Sequence, residues 1–254
     1  MIDIHSHILP GVDDGAKTES DSIAMAKAAM DDGIDTIIAT PHHRNGQFEN
    51  DRQMIQTNVS ILNDLFAKED IPLTVLAGQE VRMNGDMIED IRNGELLALN
   101  DTKYLFVEFP SDHVPRYANQ LLFDIQVEGF IPVIVHPERN RELLEHPSRL
   151  YDFVRKGALT QVTAGSVVGK FGKSIQKYSD QLIEANQTHF IASDAHNTTT
   201  RGFVMKDAFE HVKHNHGNDY VAMFMENSQL LVANMNVNRM EPEGIRKKKF
   251  LGLF

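Results

Sequence analysis

The sequence predicts an α/β fold built on a parallel β-sheet, and three observations support this prediction. Seven short apolar segments have the length and composition of β-strands, and helix-like stretches separate them. Regular alternation of strands and helices is typical of parallel sheets that are buried on both faces. No linker, low-complexity tract or shift of composition divides the 254 residues, a length typical of one α/β barrel. The alternation alone allows a closed barrel or an open doubly wound sheet.

The seven strand-like segments are spread along the chain from its first residue. Each is a short apolar run that reaches turn or polar residues at its end. In chain order they read MIDIHSH, GIDTIIATPHH, IPLTVLAGQEV, KYLFVEFP, IPVIVHPE, ALTQVTAGS and THFIASDAH.

The stretch after the first strand shows why helices are predicted between the strands. Thr18 can cap a helix N-terminus, and Gly33 can end the helix. Between them Ile23, Ala26 and Met30 fall on one face. By the same criteria the predicted helical stretches are residues 18–32, 50–68, 114–128, 140–156, 174–187 and 203–213.

Composition and charge exclude several classes of protein. The formal net charge is -11, whereas a protein that binds nucleic acid through its phosphates needs a basic face. The chain has no cysteine, which excludes disulfides, thiolate metal sites and cysteine nucleophiles. The first residues lack the pattern of a signal peptide, and no apolar run reaches the roughly 18 residues of a membrane span. We therefore expect a cytoplasmic protein that does not bind nucleic acid directly.

Most of the predicted strands end in a histidine or a carboxylate. Because the carboxyl ends of parallel strands open onto one face, these residues converge although they are distant in sequence. The candidate metal ligands are His5, His7, Asp14, His42, Glu80, Glu108, His136, Asp194 and His196. So many imidazole and carboxylate groups exceed the needs of one ion, which predicts a cluster of two or three divalent ions. Such donors suit Mn²⁺, Fe²⁺, Zn²⁺ or Mg²⁺, and the spacing does not choose among them.

The pair at the end of the first strand is the most specific of these signals. Residues i and i+2 of a strand point to the same side, so His5 and His7 can bind one ion. Asp13 and Asp14 by themselves are typical of turns beside glycines. Their nearness to the histidine pair makes one of them a candidate ligand.

Alternative roles exist for several of these residues. Glu80 and Glu108 end apolar runs, where an unpaired carboxylate is costly, and an ion pair with an arginine such as Arg82 would also satisfy them. His43 stays open. Six further histidines are predicted to lie at the surface: His113, His146, His189, His211, His214 and His216.

Two arginines follow candidate ligands directly. Arg139 lies in HPERN and Arg201 follows SDAHN. Each could be an ordinary surface cation, but beside metal ligands the pair is better interpreted as a bidentate clamp on phosphate. A metal cluster generates hydroxide at neutral pH and binds a phosphoryl oxygen between its ions, so the combination indicates phosphate ester hydrolysis.

These motifs, in this order, resemble the polymerase and histidinol phosphatase (PHP) superfamily. Within it they resemble the manganese-dependent tyrosine-protein phosphatases of Gram-positive capsule and exopolysaccharide operons. The likeness extends to about residue 235, and its motifs are MIDIHSHILPGVDDGA, ATPHHRNG, GQEV, VEF, VIVHPER and IASDAHN followed by Arg201. It implies a distorted barrel of seven βα units as a single catalytic domain over residues 1–240, with a tail over residues 241–254.

The resemblance also implies a ligand set for each of three ions, expected to be Mn²⁺, with Fe, Zn or Mg as alternatives. The sets are His5, His7, Glu80 and Asp194 for the first ion, Glu80, Glu108 and His136 for the second, and Asp14, His42 and His196 for the third. Arg139 and Arg201 would contact the phosphate.

The activity implied is hydrolysis of protein phosphotyrosine by in-line attack of a metal-bound hydroxide. The expected substrates are a bacterial tyrosine kinase and its targets. One rival is a small-molecule phosphatase such as a histidinol-phosphate hydrolase. A metal-dependent amidohydrolase is a second, although that class usually carries a carboxylated lysine where the fourth strand here ends in Glu108. A third is a non-catalytic metal-binding module that recognises a partner.

The C-terminal residues differ from the rest of this acidic chain. Arg246 and the three lysines after it lie beside an apolar end. A solvated terminus explains them, and docking to a membrane surface or an acidic partner is the alternative.

Overall fold

The computed structural model describes residues 1–245, which form nine parallel β-strands and ten α-helices. The strands are β1 (Ile2–Ser6), β2 (Thr36–Ala39), β3 (His42–His43), β4 (Thr74–Ala77), β5 (Glu80–Arg82), β6 (Tyr104–Glu108), β7 (Ile131–Val135), β8 (Leu159–Thr163) and β9 (Phe190–Ala192). They pair in the orders β1-β2-β4 and β3-β5-β6-β7-β8-β9.

These two ladders join into a closed barrel of seven strands. The strand that starts as β2 continues as β3 after two residues, and β4 continues as β5 in the same way. The Glu80 amide donates to the Pro41 carbonyl at 3.0 Å and so spans both breaks. At the other seam the His7 amide donates to the Ala195 carbonyl at 2.8 Å, which links β1 to the end of β9. The predicted α/β barrel of seven βα units is therefore confirmed.

One break has a visible packing cause. Gly78 lies between β4 and β5, and a Cβ atom there would lie 2.7 Å from Cγ2 of Ile38 and 2.9 Å from Cδ2 of Leu99. Only glycine allows the strand to approach these side chains so closely.

The helices surround the barrel and mostly match the predicted stretches. They are α1 (Glu19–Asp31), α2 (Arg52–Lys68), α3 (Met87–Arg92), α4 (Ala118–Val127), α5 (Arg141–Glu145), α6 (Ser148–Arg155), α7 (Ala164–Val167), α8 (Lys173–Glu184), α9 (Met205–His216) and α10 (Asn218–Val232). The prediction of one helix over 140–156 is wrong. The chain leaves the helix at His146 because the following Pro147 disfavours helical geometry there, and α6 starts anew.

Two apolar cores flank the barrel wall. The larger lies between the strands and the outer helices, and the smaller fills the barrel interior. Tyr104 and Phe190 are fully buried in the interior core, and Leu231 of α10 packs against it. The helix α10 was not predicted, and its residues Leu230, Leu231 and Val232 pack at this core.

The last described residues contact the helical layer of the fold. The Glu243 amide donates to the Ala185 carbonyl at 2.8 Å, and Gln187 Nε2 donates to the Glu243 carbonyl at 2.6 Å. The division at residue 240 stays a prediction, and the cationic run that begins at Arg246 lies outside the described residues. Among the helices of residues 1–245, none combines the length and hydropathy needed to cross a membrane.

Candidate metal centre

The nine predicted ligands converge at the carboxyl end of the barrel. His5 lies in β1 and His7 directly follows it, Glu80 begins β5 and Glu108 ends β6, while His136 follows β7. Four of the nine side chains, from β1, β5 and the loop after β9, are at most 1% exposed. The carboxyl ends of parallel strands thus bring distant residues into one place, as the sequence predicted.

The histidine pair faces one carboxylate oxygen. Nε2 of His5 and Nε2 of His7 lie 3.4 and 3.3 Å from Oε2 of Glu80. Ile4 packs in the barrel interior, and the His5 ring also contacts Phe106 of that core, with centroids 5.0 Å apart. Successive residues of a regular strand face opposite ways. The pairing of β1 shifts register between Asp3 and Ser6, which allows Ile4 and the His5 ring both to face the barrel interior.

Two partners behind the pair fix the orientation of its rings. Nδ1 of His7 donates to Asp13 Oδ2 at 2.7 Å, and Nδ1 of His5 donates to Gln161 Oε1 at 2.9 Å. Each bond leaves Nε2 as the lone-pair nitrogen that faces the centre, the arrangement of metal-binding histidines. Asp13 is therefore the orienting member of the Asp13–Asp14 pair.

Glu80 occupies the middle of the cluster. Its Oε1 lies 2.7 Å from Nε2 of His136, and its Oε2 lies 2.8 Å from Nδ1 of His42. The side chain is fully buried. One carboxylate therefore contacts groups at the ends of three other strands, which suits a ligand shared between ions.

Glu108 contacts both an arginine and a candidate metal ligand. Arg82 donates Nε to Oε2 at 2.8 Å and Nη2 to Oε1 at 3.0 Å, a bidentate ion pair. The same Oε2 lies 3.8 Å from Nδ1 of His42. The alternative of an arginine partner is thus correct for Glu108, whereas Glu80 faces histidines.

A further group of donors surrounds Asp14. Its Oδ1 lies 3.4 Å from Nε2 of His42 and 3.4 Å from Nε2 of His196. The His7 and His196 rings are 3.7 Å apart at their centroids. His7 is thus also a neighbour of this group.

Three sets of donor atoms are close enough together to share a cation. They are His5, His7 and Glu80, then His42, Glu80 and Glu108, and finally His7, Asp14, His42 and His196. The sets use the predicted residues but place His42 in two of them and His136 in none. The assignment of residues to individual ions stays a prediction.

Unpartnered buried atoms show that these residues fit a cation. Nδ1 of His42, Oε2 of Glu80 and Nε2 of His196 are buried and form no hydrogen bond within the described structure. Buried polar atoms are nearly always satisfied, and leaving them so is costly. All three residues belong to the donor sets above, so divalent cations bound there would satisfy these atoms.

The pKa shifts reflect the same crowding of charge. Burial raises the pKa of Glu80, but His42, His5 and the hydrogen bond to His136 outweigh burial and hold it well below the ordinary value. Burial and repulsion from Glu80 raise the pKa of Glu108 to about 7. Burial alone would lower the pKa of His42, yet Glu80 and its other carboxylate neighbour raise it to about 10. The carboxylates around His42 thus favour a positive charge at this position.

Backbone strain marks two of the ligand positions. His136 has φ of 34° and Asp194 has φ of 51°, both in the left-handed region. Non-glycine residues adopt this region uncommonly, and such strained positions cluster at functional sites, although aspartate and histidine tolerate it better than most residues.

Both arginines predicted to bind phosphate face the centre. Nη2 of Arg139 and Nη2 of Arg201 donate to Oδ2 of Asp194 at 2.6 and 3.0 Å. The Nε atoms of both are buried without a partner. The Phe171 ring lies 5.3 Å from the Arg139 guanidinium carbon, a cation–π contact.

These groups line a pocket of about 270 Å³. Its walls include Glu108, His136, Arg139, Asp194 and Arg201. Candidate metal ligands and both predicted phosphate-binding arginines thus share one opening.

Several residues of the site carried no sequence signal. Gln161 lies within β8, and Phe171 lies in the loop after α7, so neither stands at a strand end. His189 was predicted at the surface, and this was wrong, because it is 3% exposed beside β9. His43 is buried, and its Nδ1 accepts the Asn50 amide at 3.1 Å.

The loop that carries Asp13 and Asp14 folds tightly against β1. A Cβ atom on Gly15 would lie 2.1 Å from the His7 carbonyl oxygen. The Ala16 amide donates to that same oxygen at 3.1 Å. Only glycine fits here, and the close contact places both aspartates beside the histidine pair.

Comparison with known proteins gives consistent matches. The family model for capsular polysaccharide synthesis, CpsB/CapC, matches residues 1–233. The tyrosine-protein phosphatase YwqE of Bacillus subtilis (strain 168) is 51% identical, and the putative tyrosine-protein phosphatase CapC of Staphylococcus aureus is 37% identical, each over 100% of both chains. Crystal structures of YwqE and of CpsB from Streptococcus pneumoniae are described as unique metal-dependent tyrosine phosphatases. A chain from that work matches with a TM-score of 0.95 and 51% identity, over 97% of this chain and 100% of that one.

Proposed function

Because the chain belongs to the CpsB/CapC family of capsular polysaccharide synthesis, we propose that it is a metal-dependent protein-tyrosine phosphatase. One observation carries the proposal: nine nitrogen and oxygen donors, some without partners, converge beside two arginines, and four of the nine line the pocket that also holds both arginines. A phosphate monoester dianion needs cations around its oxygens and a nucleophile in line with the leaving group. This centre has the residues for both.

The arginines hold the phosphate. Each binds Asp194 through Nη2, which fixes the guanidinium planes and leaves the unpartnered Nε–H groups for the ester. Burial lowers the pKa of Arg139, but Asp194 and other carboxylates outweigh burial and raise it, so it stays charged. Planar guanidinium groups bind phosphate oxygens in pairs and orient the ester for in-line attack.

The histidines and carboxylates hold the metal. When bound, divalent ions supply a hydroxide nucleophile at neutral pH and neutralise charge on phosphoryl oxygens. We propose Mn²⁺, which the resemblance to manganese-dependent phosphatases implies and which the imidazole and carboxylate donors of the centre suit. Asp13 and Gln161 hold the rings of His7 and His5 so that Nε2 of each faces the ion.

The pocket suits a phosphorylated side chain presented by a polypeptide. Its volume of about 270 Å³ is below the roughly 300–1,000 Å³ of sites that enclose a drug-sized ligand. A phenolate leaving group with a pKa near 10 departs without strong help from a general acid. Aryl esters such as phosphotyrosine therefore match the groups found here.

The family description ties this chain to capsular polysaccharide synthesis. We propose that the phosphotyrosine lies on a bacterial tyrosine kinase of capsule or exopolysaccharide synthesis and on targets of that kinase. The reaction would take place in the cytoplasm. Incubating the phosphorylated kinase with the enzyme and following its phosphotyrosine with a specific antibody tests this substrate.

A substrate panel tests the activity. We expect kcat/KM for a phosphotyrosine peptide to exceed that for the phosphoserine peptide of identical sequence and for histidinol phosphate by at least about tenfold, roughly 1.4 kcal/mol. EDTA should abolish turnover and Mn²⁺ should restore it, whereas a thiol alkylating reagent should have no effect.

One variant separates metal binding from folding. We expect Glu80→Gln to lose bound metal and turnover together while keeping its circular dichroism spectrum. Full turnover in Glu80→Gln would contradict the shared centre. Histidinol phosphate as the best substrate would favour the small-molecule phosphatase, and no metal-stimulated turnover on any ester would favour a binding module.

A further inference from the structure

A second concavity lies beside the catalytic pocket and has no role in the chemistry above. It is a groove of about 640 Å³, more than twice the volume of the catalytic pocket. The segment of residues 110–117, between β6 and α4, forms much of its lining. The side chains that matter here are Met83, Pro110, Val114, Arg116, Tyr117 and Arg149.

The same segment separates the groove from the catalytic pocket. Ser111 and Asn140 line the pocket, whereas Pro110 and His113 line the groove. Nδ2 of Asn140 donates to the Pro110 carbonyl at 2.7 Å and to the His113 carbonyl at 3.0 Å. The Arg141 amide donates to the Ser111 carbonyl at 2.9 Å. Hydrogen bonds therefore hold the wall, and the groove lies next to the proposed phosphate site.

The floor of the groove is apolar and ordered. Val114 and Met83 are buried, and the Val114 amide donates to Glu142 Oε2 at 2.8 Å. Tyr117 is 46% exposed, and its hydroxyl donates to the Met83 carbonyl at 3.4 Å. An exposed aromatic ring held in one orientation offers contact area at a low cost in conformational entropy.

The groove carries a free cation on an acidic protein. Arg116 is exposed and forms no salt bridge with any residue in the described range 1–245. Arg149 is paired with Glu142, so these two groups neutralise each other. The chain as a whole has a formal net charge of -11. An acidic ligand repelled by most of the surface would find an uncompensated positive charge here.

We propose that this groove binds the polypeptide that flanks the phosphotyrosine and selects an acidic residue in that flanking segment. The proposal rests on the proposed function and names the substrate class of the same site. An extended peptide advances about 3.3 Å per residue, so residues a few positions from the phosphotyrosine reach across one loop into the groove. Arg116 binds the acidic side chain, while Tyr117 and Val114 contact the peptide backbone and its apolar atoms.

Three phosphotyrosine peptides that differ only in flanking residues test the groove. Glutamate, glutamine or lysine would occupy the three positions on each side, and the full-length, Mn²⁺-loaded enzyme would be used. We expect wild-type kcat/KM to be about fivefold higher for the glutamate peptide than for the glutamine peptide, mainly through KM. Arg116→Glu should reverse that order, and Arg116→Gln should remove it.

Arg155→Glu is the matched control. Arg155 is exposed at the end of α6, shortly before β8 starts, so it lies at the opposite end of the barrel. This variant makes the same change of charge and should keep the wild-type preference among the peptides. Metal content and melting temperature of the Arg116 variants show that they are folded.

The outcomes distinguish the two proposals. Equal kcat/KM for the glutamate and glutamine peptides in wild type would overturn the groove and leave the phosphatase activity intact. A preference that persists in Arg116→Glu, or that Arg155→Glu also removes, would overturn it equally. Hydrolysis of a small aryl phosphate without hydrolysis of any phosphotyrosine peptide would overturn the proposed function and the groove with it.

Discussion

The two ends of the barrel interior are built by the same strands and have opposite chemistry. Along β6, Tyr104 and Phe106 pack in the interior core, and Glu108 ends the strand in the metal centre. Along β7, Val133 and Val135 pack in that core, and His136 follows in the centre. On each strand, therefore, only one or two residues separate the apolar core from a cluster of buried polar atoms.

The difference shows which end of the barrel interior stabilises the fold and which end destabilises it. At the end of the interior opposite the metal centre, called the base, large apolar side chains are buried away from water, which favours folding. The opposite end holds unpartnered polar atoms and two residues with strained backbones, both of which oppose folding. Changes at the base should thus act on stability, and changes at the metal centre should act on activity.

Removing a large side chain at the base should have the largest effect. Phe190 is fully buried in the interior core, and Phe190→Ala should lower the free energy of unfolding by about 3–5 kcal/mol, since it leaves a cavity. Urea denaturation measures the loss. The folded variant should keep its metal content and kcat/KM at low temperature. Loss of metal without loss of stability would remove the distinction between the two ends.

Removing an arginine at the other end should give the reverse pattern. Arg139→Ala and Arg201→Ala should each lower kcat/KM by about 10²–10³-fold, about 2.7–4 kcal/mol of transition-state stabilisation. Metal content from elemental analysis and the urea midpoint should both stay near wild type. A parallel loss of metal would assign the arginine to the structure of the centre and not to phosphate binding.

A buried histidine near the base should make stability depend on pH. Burial, with a smaller contribution from Arg239, lowers the pKa of His189 to about 3. Below pH 6.5 the unfolded chain binds a proton that the folded chain does not, so stability falls as pH falls from 6.5 toward 3. The loss by pH 5 should be about 2 kcal/mol.

Comparison with a variant isolates this histidine from those of the metal centre. Urea unfolding at pH 7 and at pH 5 should show a smaller loss for His189→Asn than for wild type, because the other histidines titrate in both. Identical losses would mean that His189 does not resist protonation in the folded protein.

The smallest expected effect concerns the ring beside Arg139. Phe171→Leu removes the cation–π contact and should lower kcat/KM about fivefold, roughly 1 kcal/mol. Phe123→Leu makes the same change at a ring that is 59% exposed on α4 and should have no effect. Equal kcat/KM for Phe171→Leu and wild type would show that Asp194 alone orients the arginine.

The sequence predicted the end of the barrel that carries function better than the details of its base. His5 and His7 signal a ligand pair because a strand has a period of two, and each later ligand ends an apolar run. The helix α10 gave a weaker signal, since Asn227 and Ser228 are buried among its apolar residues and blur the helical pattern. Gly78 marks a strand break that depends on Ile38 and Leu99, which are distant in sequence.

Residues behind the ligands were beyond sequence reasoning for a similar reason. Gln161 is a polar residue within a strand, and nothing local shows that it faces His5. His189 follows a polar stretch typical of a loop, yet tertiary packing buries it. Arg82 was named as an ion-pair partner, but only the register of β5 with β6 shows that its partner is Glu108.

The contact between Gly15 and the His7 carbonyl has a consequence for genetics. A side chain at position 15 would have to displace the loop that carries Asp13 and Asp14, because its Cβ atom would lie 2.1 Å from that carbonyl oxygen. In a library of random variants selected for phosphatase activity, Gly15 should therefore be as intolerant as the ligands themselves. A selection for activity would thus group Gly15 with the catalytic residues, although it has no proposed contact with metal or substrate. Measuring bound metal would then be needed to distinguish Gly15 variants from variants that lack a ligand.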